Sequence, residues 1–212
     1  MRLIVLNTTR TGEKSLVVHS ISREYGRRSF IVNAGPKTLM SLFLPLNIID
    51  AEVVENRKSD LWRLRSIKSA EPLGGIRSDI YRNTMTLFMS EVLFRTLREG
   101  VFEDSLYEWC EKSILTLNAL EGGYSNYHLW FLLELCSVLG FRPSIEDMAP
   151  FTGRYHSTVS ALLSKDFAGF MMTPLNGESR NALASIFIKY LSVHTEFAIE
   201  VRSLSVLGEI FR

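Results

Sequence analysis

Five short segments rich in β-branched and aromatic residues crowd the first seventy positions, and they restrict the fold more than any other feature of the chain. Leu3 to Thr8, Leu16 to Ser22, Arg28 to Asn33, Ile48 to Val54 and Trp62 to Ser69 are each of strand length. Turn signals such as Thr11-Gly12 and Tyr25-Gly26 separate them. The segment GPKTLMSLFLPL, residues 35 to 46, interrupts the series after the third strand and has room for only a turn or two of helix. Five strands in so short a stretch predict a small barrel.

From about residue 78 the hydrophobic period changes from strand-like to helical. Ser78 and Asp79 are expected N-caps for a helix reaching Glu99 and Gly100, with Met85, Phe88, Val92, Leu93 and Leu97 on its apolar stripe. A second helix is expected from Asp104, carrying Leu106, Trp109, Cys110, Ile114 and Leu117. A third runs from Ser125 to a stop at Gly140 and Pro143, and its segment NYHLWFLLELCSVLGF is apolar almost all round, which predicts a central buried helix. The stretch SIEDMAPFTGRYHST reads as irregular; NGESRNALASIFIKYLSVHTEF and SLSVLGEIF read as a long and a short closing helix. Pro72, Gly74 and Gly75 mark the expected boundary, giving an α+β chain with a barrel over 1–75 and a helical domain over 76–212. The strand count with its interruption matches the five-stranded oligonucleotide-binding (OB) barrel, although the count alone also fits other small barrels.

The formal net charge of +1 conceals polarity along the chain. Residues 1–70 carry twelve Lys and Arg against six Asp and Glu, and subtraction from the totals of 24 and 23 leaves twelve basic and seventeen acidic groups for residues 71–212. A basic first third beside an acidic remainder points to a polyanionic partner. Cys110 and Cys136 lie in apolar helical contexts without zinc-site spacing and are expected as buried free thiols. The opening MRLIVLNTTR is too short an apolar run for a signal peptide, and no segment has the length of a bilayer span. A cytoplasmic protein without membrane attachment is the expectation.

Catalytic motifs are missing. His19, His128, His156 and His194 are scattered without HExxH spacing, and the chain has no GxSxG elbow, Walker lysine loop or GxGxxG turn. The strands are more informative. In WRLRSIK the period of two puts Arg63 and Arg65 on one face and Trp62 and Leu64 on the other, a buried apolar row backing an exposed basic row. Arg10 and Lys14 flank the first turn; Arg23, Arg27 and Arg28 flank the second; Lys37 lies in the interruption and Lys68 near the end of the fifth strand. If these cations converge they form a groove that tracks a phosphate backbone, with Tyr25 and Phe30 as candidate surfaces for base stacking, Phe30 being the better core residue. Nothing among them resembles a base-specific code.

Together the segments IVLNTTRTGEKSLVVHSISREYGRRSFIVNAG, LPL at 44–46, SNYHLWFLLELCSVLGF, SRNALASIFIKYLSVHTEF and RSLSVLGEIF, in this order and spacing, resemble the RecO family of bacterial recombination mediators. The resemblance implies an OB domain followed by a helical domain and no catalytic activity. It further implies binding to single- and double-stranded DNA, strand annealing, partnership with RecR and with single-stranded-DNA-binding protein (SSB), and help in loading RecA. Two departures stand out. Where many members carry a four-cysteine zinc module, RPSIEDMAPFTGRYHST has no cysteine, so neither metal nor other cofactor is expected. The loop after the third strand is short and keeps only Lys37, which shifts DNA contact toward Arg23, Arg27, Arg28, Arg63 and Arg65. An adaptor whose barrel has lost most of its DNA affinity is the competing reading. For the acidic, aromatic-ended tail of SSB, the expected cations are Arg95, Arg98, Lys112 and Arg142, beside Phe94, Trp109 and Phe141.

Overall fold

Alternating apolar residues pair the first third of the chain into a closed barrel. The computed structural model describes residues 1–33, 35, 40–56, 59, 61–100 and 104–211. Its strands are β1 (Arg2–Arg10), β2 (Ser15–Ser22), β3 (Gly26–Asn33), β4 (Ile48–Val54) and β5 (Trp62–Ser69), joined in the order β1-β2-β3-β5-β4. All neighbours are antiparallel except β3 and β5, which run parallel through Phe30 opposite Trp62 and Ile31 opposite Arg63. This is the OB fold. The barrel is filled by Leu3, Val5, Leu16, Val18, Phe30, Val32, Ile49, Ala51 and Leu64, with Phe43 entering from the 3-10 turn Met40–Phe43. Ile4, Ile21 and Ile48, of opposite parity, are buried as well, which is why β1 reads as the unbroken apolar run LIVL.

Bulges correct the alternation in two strands. In β1 the register slips between Val5 and Asn7. In β5, Asp50 faces Lys68 while Glu52 faces Arg65, so Ala51 meets two residues, and Ser66 absorbs the extra step with a φ of 52°. Strict alternation would send Lys68 inward with Trp62 and Leu64. The bulge turns Ile67 inward instead and leaves Lys68 exposed.

The helices are α1 (Gly74–Arg77), α2 (Ile80–Thr96), α3 (Asp104–Ala119), α4 (Tyr127–Val138), α5 (Ile145–Thr152), α6 (His156–Leu163), α7 (Phe167–Met171), α8 (Gly177–Thr195) and α9 (Ser203–Ile210). By contacts the chain forms two units, Met1–Gly74 with Leu97–Leu115, and Gly75–Thr96 with Thr116–Arg212. Within the first unit, β3 pairs with β5 only at Phe30 and Ile31, and Arg27 near its start forms a bridge with Glu99, whose neighbour Gly100 donates its amide to the Arg27 carbonyl. The helix expected to reach Glu99 therefore stops at Thr96, because the next residues pair with a strand.

Within the second unit α4 is the central helix: Leu129, Leu132, Leu135 and Cys136 are wholly buried, as its all-round apolarity predicts. It packs against α2, α7 and α8. Asn126, just before α4, reaches the carbonyls of Phe170, Met171 and Thr173 with its side-chain amide at 3.1, 3.3 and 2.8 Å. Asp79 caps α2, accepting from the amides of Tyr81 and Arg82 and from the Tyr124 hydroxyl at 2.5 Å. Glu91 of α2 caps α9 by accepting from the Arg202 and Ser203 amides and the Ser203 hydroxyl. The stretch expected to be irregular is largely helical. Ser144 caps α5 through the Asp147 amide, Pro150 ends up inside that helix, and Met148 and Val159 bury the inner faces of α5 and α6. These helices span only eight residues each, too few for a clear period, and Pro150 and Gly153 imitate a loop in sequence.

Candidate nucleic-acid interface

The two basic turns flank the same strand, so they lie at its opposite ends. Arg10 and Lys14 sit where β1 turns into β2, with Arg10 opposite Leu16; Arg23 to Arg28 sit where Ser22 pairs with Gly26. Seven residues of extended chain separate these ends by about 23 Å. The two basic turns therefore do not meet at one point, and their cations lie at opposite ends of β2.

Their surroundings divide them further. Arg10, Lys14 and Arg63 are exposed and make no ion pair among the described residues, Arg63 standing opposite the apolar Val54 and Ile31. Arg23 pairs with Glu108 at 3.1 Å and lies over the Tyr107 ring at 5.8 Å. Arg65 and Lys68 are exposed but face Glu52 and Asp50 across the ladder, which offsets their charge although no ion pair forms within 4 Å. Arg27 turns inward: it donates to the Leu97 carbonyl, and burial lowers its pKa, an effect that the nearby Glu99 carboxylate opposes. Lys37 lies outside the described residues.

Arg28 does something that the sequence did not announce. Its guanidinium lies 3.5 Å from the centre of the Trp62 ring, van der Waals contact with the indole face. Tyr25 meets the same indole edge-on, with centroids 5.1 Å apart and planes at 90°, and lies 5.7 Å from the Arg28 guanidinium. Trp62, read as part of a buried row, is half-buried and packs against the barrel core. Phe30, by contrast, is a core residue with no exposed surface.

A polar chain crosses the neighbouring surface. The Ser29 hydroxyl donates to Glu99; the His19 Nδ1 and Ser29 oxygen are 2.8 Å apart, and the His19 Nε2 lies 3.2 Å from the Thr9 hydroxyl. Since the serine proton is committed to the carboxylate, His19 donates from Nδ1 and accepts at Nε2. Burial and the charge of Arg27 lower the His19 pKa, against the pull of Glu99. A serine nucleophile needs the reverse polarity, with the hydroxyl donating to histidine.

In the helical part, Arg95, Arg98, Lys112 and Arg142 are all exposed; Arg98 and Lys112 belong to the first unit, Arg95 and Arg142 to the second. A cavity of about 350 Å³ in the second unit is lined by Tyr81, Tyr124, Arg180, Ile210, Phe211 and the residues between Gly122 and Ser125, and by none of those four cations. Arg180 lies 5.6 Å from the Phe211 ring and donates to the Phe211 carbonyl at 3.2 Å. Its distance in sequence from the expected cations explains why local pairing of charge with apolar neighbours missed it.

Two family descriptions match consecutive parts of the chain: "Recombination protein O N terminal" over residues 1–73 and "Recombination protein O C terminal" over residues 77–149. The chain belongs to the RecO family. The DNA repair protein RecO of Phocaeicola vulgatus is 29% identical over 234 residues, covering 98% of this chain and 97% of its own length. That of Flavobacterium psychrophilum is 27% identical over 233 residues, and that of Porphyromonas gingivalis 32% over 151 residues, or 68% of this chain and 62% of its own. The protein is thus a DNA repair and recombination protein of the RecO type. Among the described residues no group of three or more His, Cys, Asp or Glu could hold a metal, and Cys110 and Cys136 are buried free thiols. Burial pushes the Cys136 thiol up to about 12. No helix among the described residues is long and apolar enough to cross a membrane.

Proposed function

We propose that the protein is a non-enzymatic recombination mediator that binds single- and double-stranded DNA along its barrel, anneals complementary strands, and with RecR helps RecA load onto SSB-coated DNA. The observation carrying this reading is the set of exposed cations Arg10, Lys14 and Arg63, which make no ion pair among the described residues, on an OB barrel in a RecO-family chain. Arg63 faces Ile31, which pairs with Val17 beside the Arg10–Leu16 pair, so the three cations lie toward one end of the barrel, where they can contact neighbouring phosphates of a strand. Contacts of this kind read phosphates and not bases, as annealing of arbitrary sequences requires. The division into a DNA-binding barrel over 1–75 and a partner-binding helical domain over 76–212 is part of the same proposal.

For the SSB tail the reading needs an apolar pocket beside a cation, so that a buried ring supplies affinity and the cation pairs with carboxylate. The cavity beside Tyr81, Arg180 and Phe211 has that chemistry. Arg95, Arg98, Lys112 and Arg142 remain the alternatives, each tested by charge reversal and calorimetric titration of the tail peptide.

A second reading, an adaptor with a weakened barrel, draws on the acids set against the basic face, Glu108 on Arg23, Glu52 opposite Arg65 and Asp50 opposite Lys68. Annealing of two complementary labelled strands, with and without SSB, separates the two. The mediator accelerates annealing, and Arg63→Glu abolishes the acceleration. An adaptor leaves the annealing rate at its protein-free value.

A further inference from the structure

Trp62 is half-buried at the start of β5, where it packs against the barrel core, and its indole face is covered by a guanidinium. The Arg28 guanidinium stands 3.5 Å from the ring centre and Tyr25 meets the indole at right angles with centroids 5.1 Å apart, so the indole is fixed in orientation with the Arg28 side chain over one face. An aromatic ring held rigid against an arginine is an arrangement that a nucleotide can satisfy, ring against ring and phosphate against the guanidinium.

We propose that Trp62 is a stacking site for an unpaired nucleobase, and that Arg28 covers it in the free protein and exchanges with the base on binding. This rests on the reading of the barrel as a DNA-binding surface. The exchange is driven by the base–aromatic stack together with pairing of the displaced guanidinium to the phosphate backbone, set against the contacts that Arg28 gives up. The site selects single strands, since a base inside a duplex has both faces taken by its neighbours. Tyr25 acts by positioning the indole, not by stacking itself: its ring lies edge-on against Trp62, which ties it to the indole.

Fluorescence anisotropy of the full chain with a labelled oligothymidylate and with an abasic oligomer of equal length, at one low salt concentration, tests the site. The two ligands share a phosphate backbone and differ in bases. The wild type is expected to bind the thymidylate about five- to a hundredfold more tightly, the range of one stacking contact. Trp62→Leu is expected to lower thymidylate affinity to the abasic level while leaving abasic binding unchanged. Wild-type tryptophan emission is expected to fall with thymidylate and not with the abasic oligomer, a readout that stands if the variant does not fold. Equal affinity of the wild type for both oligomers, a folded Trp62→Leu protein that keeps the preference, or identical emission changes would each overturn the stacking site and leave phosphate binding intact. Binding of neither oligomer would overturn the DNA reading itself, and the stacking site with it.

Discussion

Arg27 separates two kinds of arginine that are indistinguishable in sequence. It follows Gly26 in a basic turn, yet its guanidinium donates to the Leu97 carbonyl beside Glu99, and its own carbonyl accepts from Gly100. Arg27→Ala removes one charge-assisted hydrogen bond, worth about 1.5–3 kcal/mol when buried. Since the side chain is only half-buried and Ser29 still supports Glu99, the lower end applies, about 1.5 kcal/mol. For a chain of 212 residues that is a fall in Tm of roughly 3–6 °C. Urea unfolding followed by circular dichroism measures it, with an unchanged m-value expected because the surface exposed on unfolding stays the same. DNA affinity at fixed salt should stay within a factor of about two, as no phosphate contact is lost. A variant as stable as wild type with a clear loss of DNA affinity would refute the assignment of Arg27 as a strut.

The cations on β5 should differ in the same way: Arg63→Ala should flatten the slope of log affinity against log salt by about 0.7, whereas Arg65→Ala should change it less and Glu52→Gln should raise affinity, all read by anisotropy across a salt series. Glu91→Gln should cost about 1–2 kcal/mol at neutral pH, because it weakens the cap of α9. Burial pushes the Glu91 pKa up, but the Ser203 hydroxyl and amide, the Arg202 amide and the charge of Arg95 outweigh it and hold the carboxyl below its usual 4.5. The contribution is therefore complete above that value and disappears as pH falls through the lower folded value, so urea midpoints of wild type and variant should converge in acid. His128, fully buried between Phe88 and Phe211, is lowered to about 3 by burial and by the charge of Arg180, against a hydrogen bond with the Ser125 backbone; its ring resonances should not titrate between about pH 8 and 5 by NMR.

The strands were legible because each carries its own period and its own turn, and the pairing of β3 with β5 follows from the OB order once five strands are counted. The burial of α4 was legible for a similar reason, being apolar on every side. Features that depend on a residue distant in sequence were not. The pairing of 97–100 with the start of β3 cut α2 short of Glu99, and no local pattern encodes a bridge over seventy residues. The bulge at Ser66 exposes Lys68 against strict alternation. In the candidate interface, residue type identified the exposed cations Arg10, Lys14 and Arg63, but not which arginines are spent on Glu108, Leu97 or Trp62. The separation of the two basic turns, on the other hand, was available from the sequence, since turns at either end of one strand cannot meet.

The most direct test of the account is the salt dependence of binding to a short labelled single strand. Arg10, Lys14 and Arg63, with Arg28 once it leaves the indole, provide three or four phosphate contacts, hence a slope of roughly −2 to −3 in log affinity against log salt. Between about 50 and 200 mM salt, affinity should fall about 20- to 50-fold, with little change among strands of different sequence. Absence of binding at the lower salt, or binding that salt leaves untouched, would contradict the phosphate-tracking barrel.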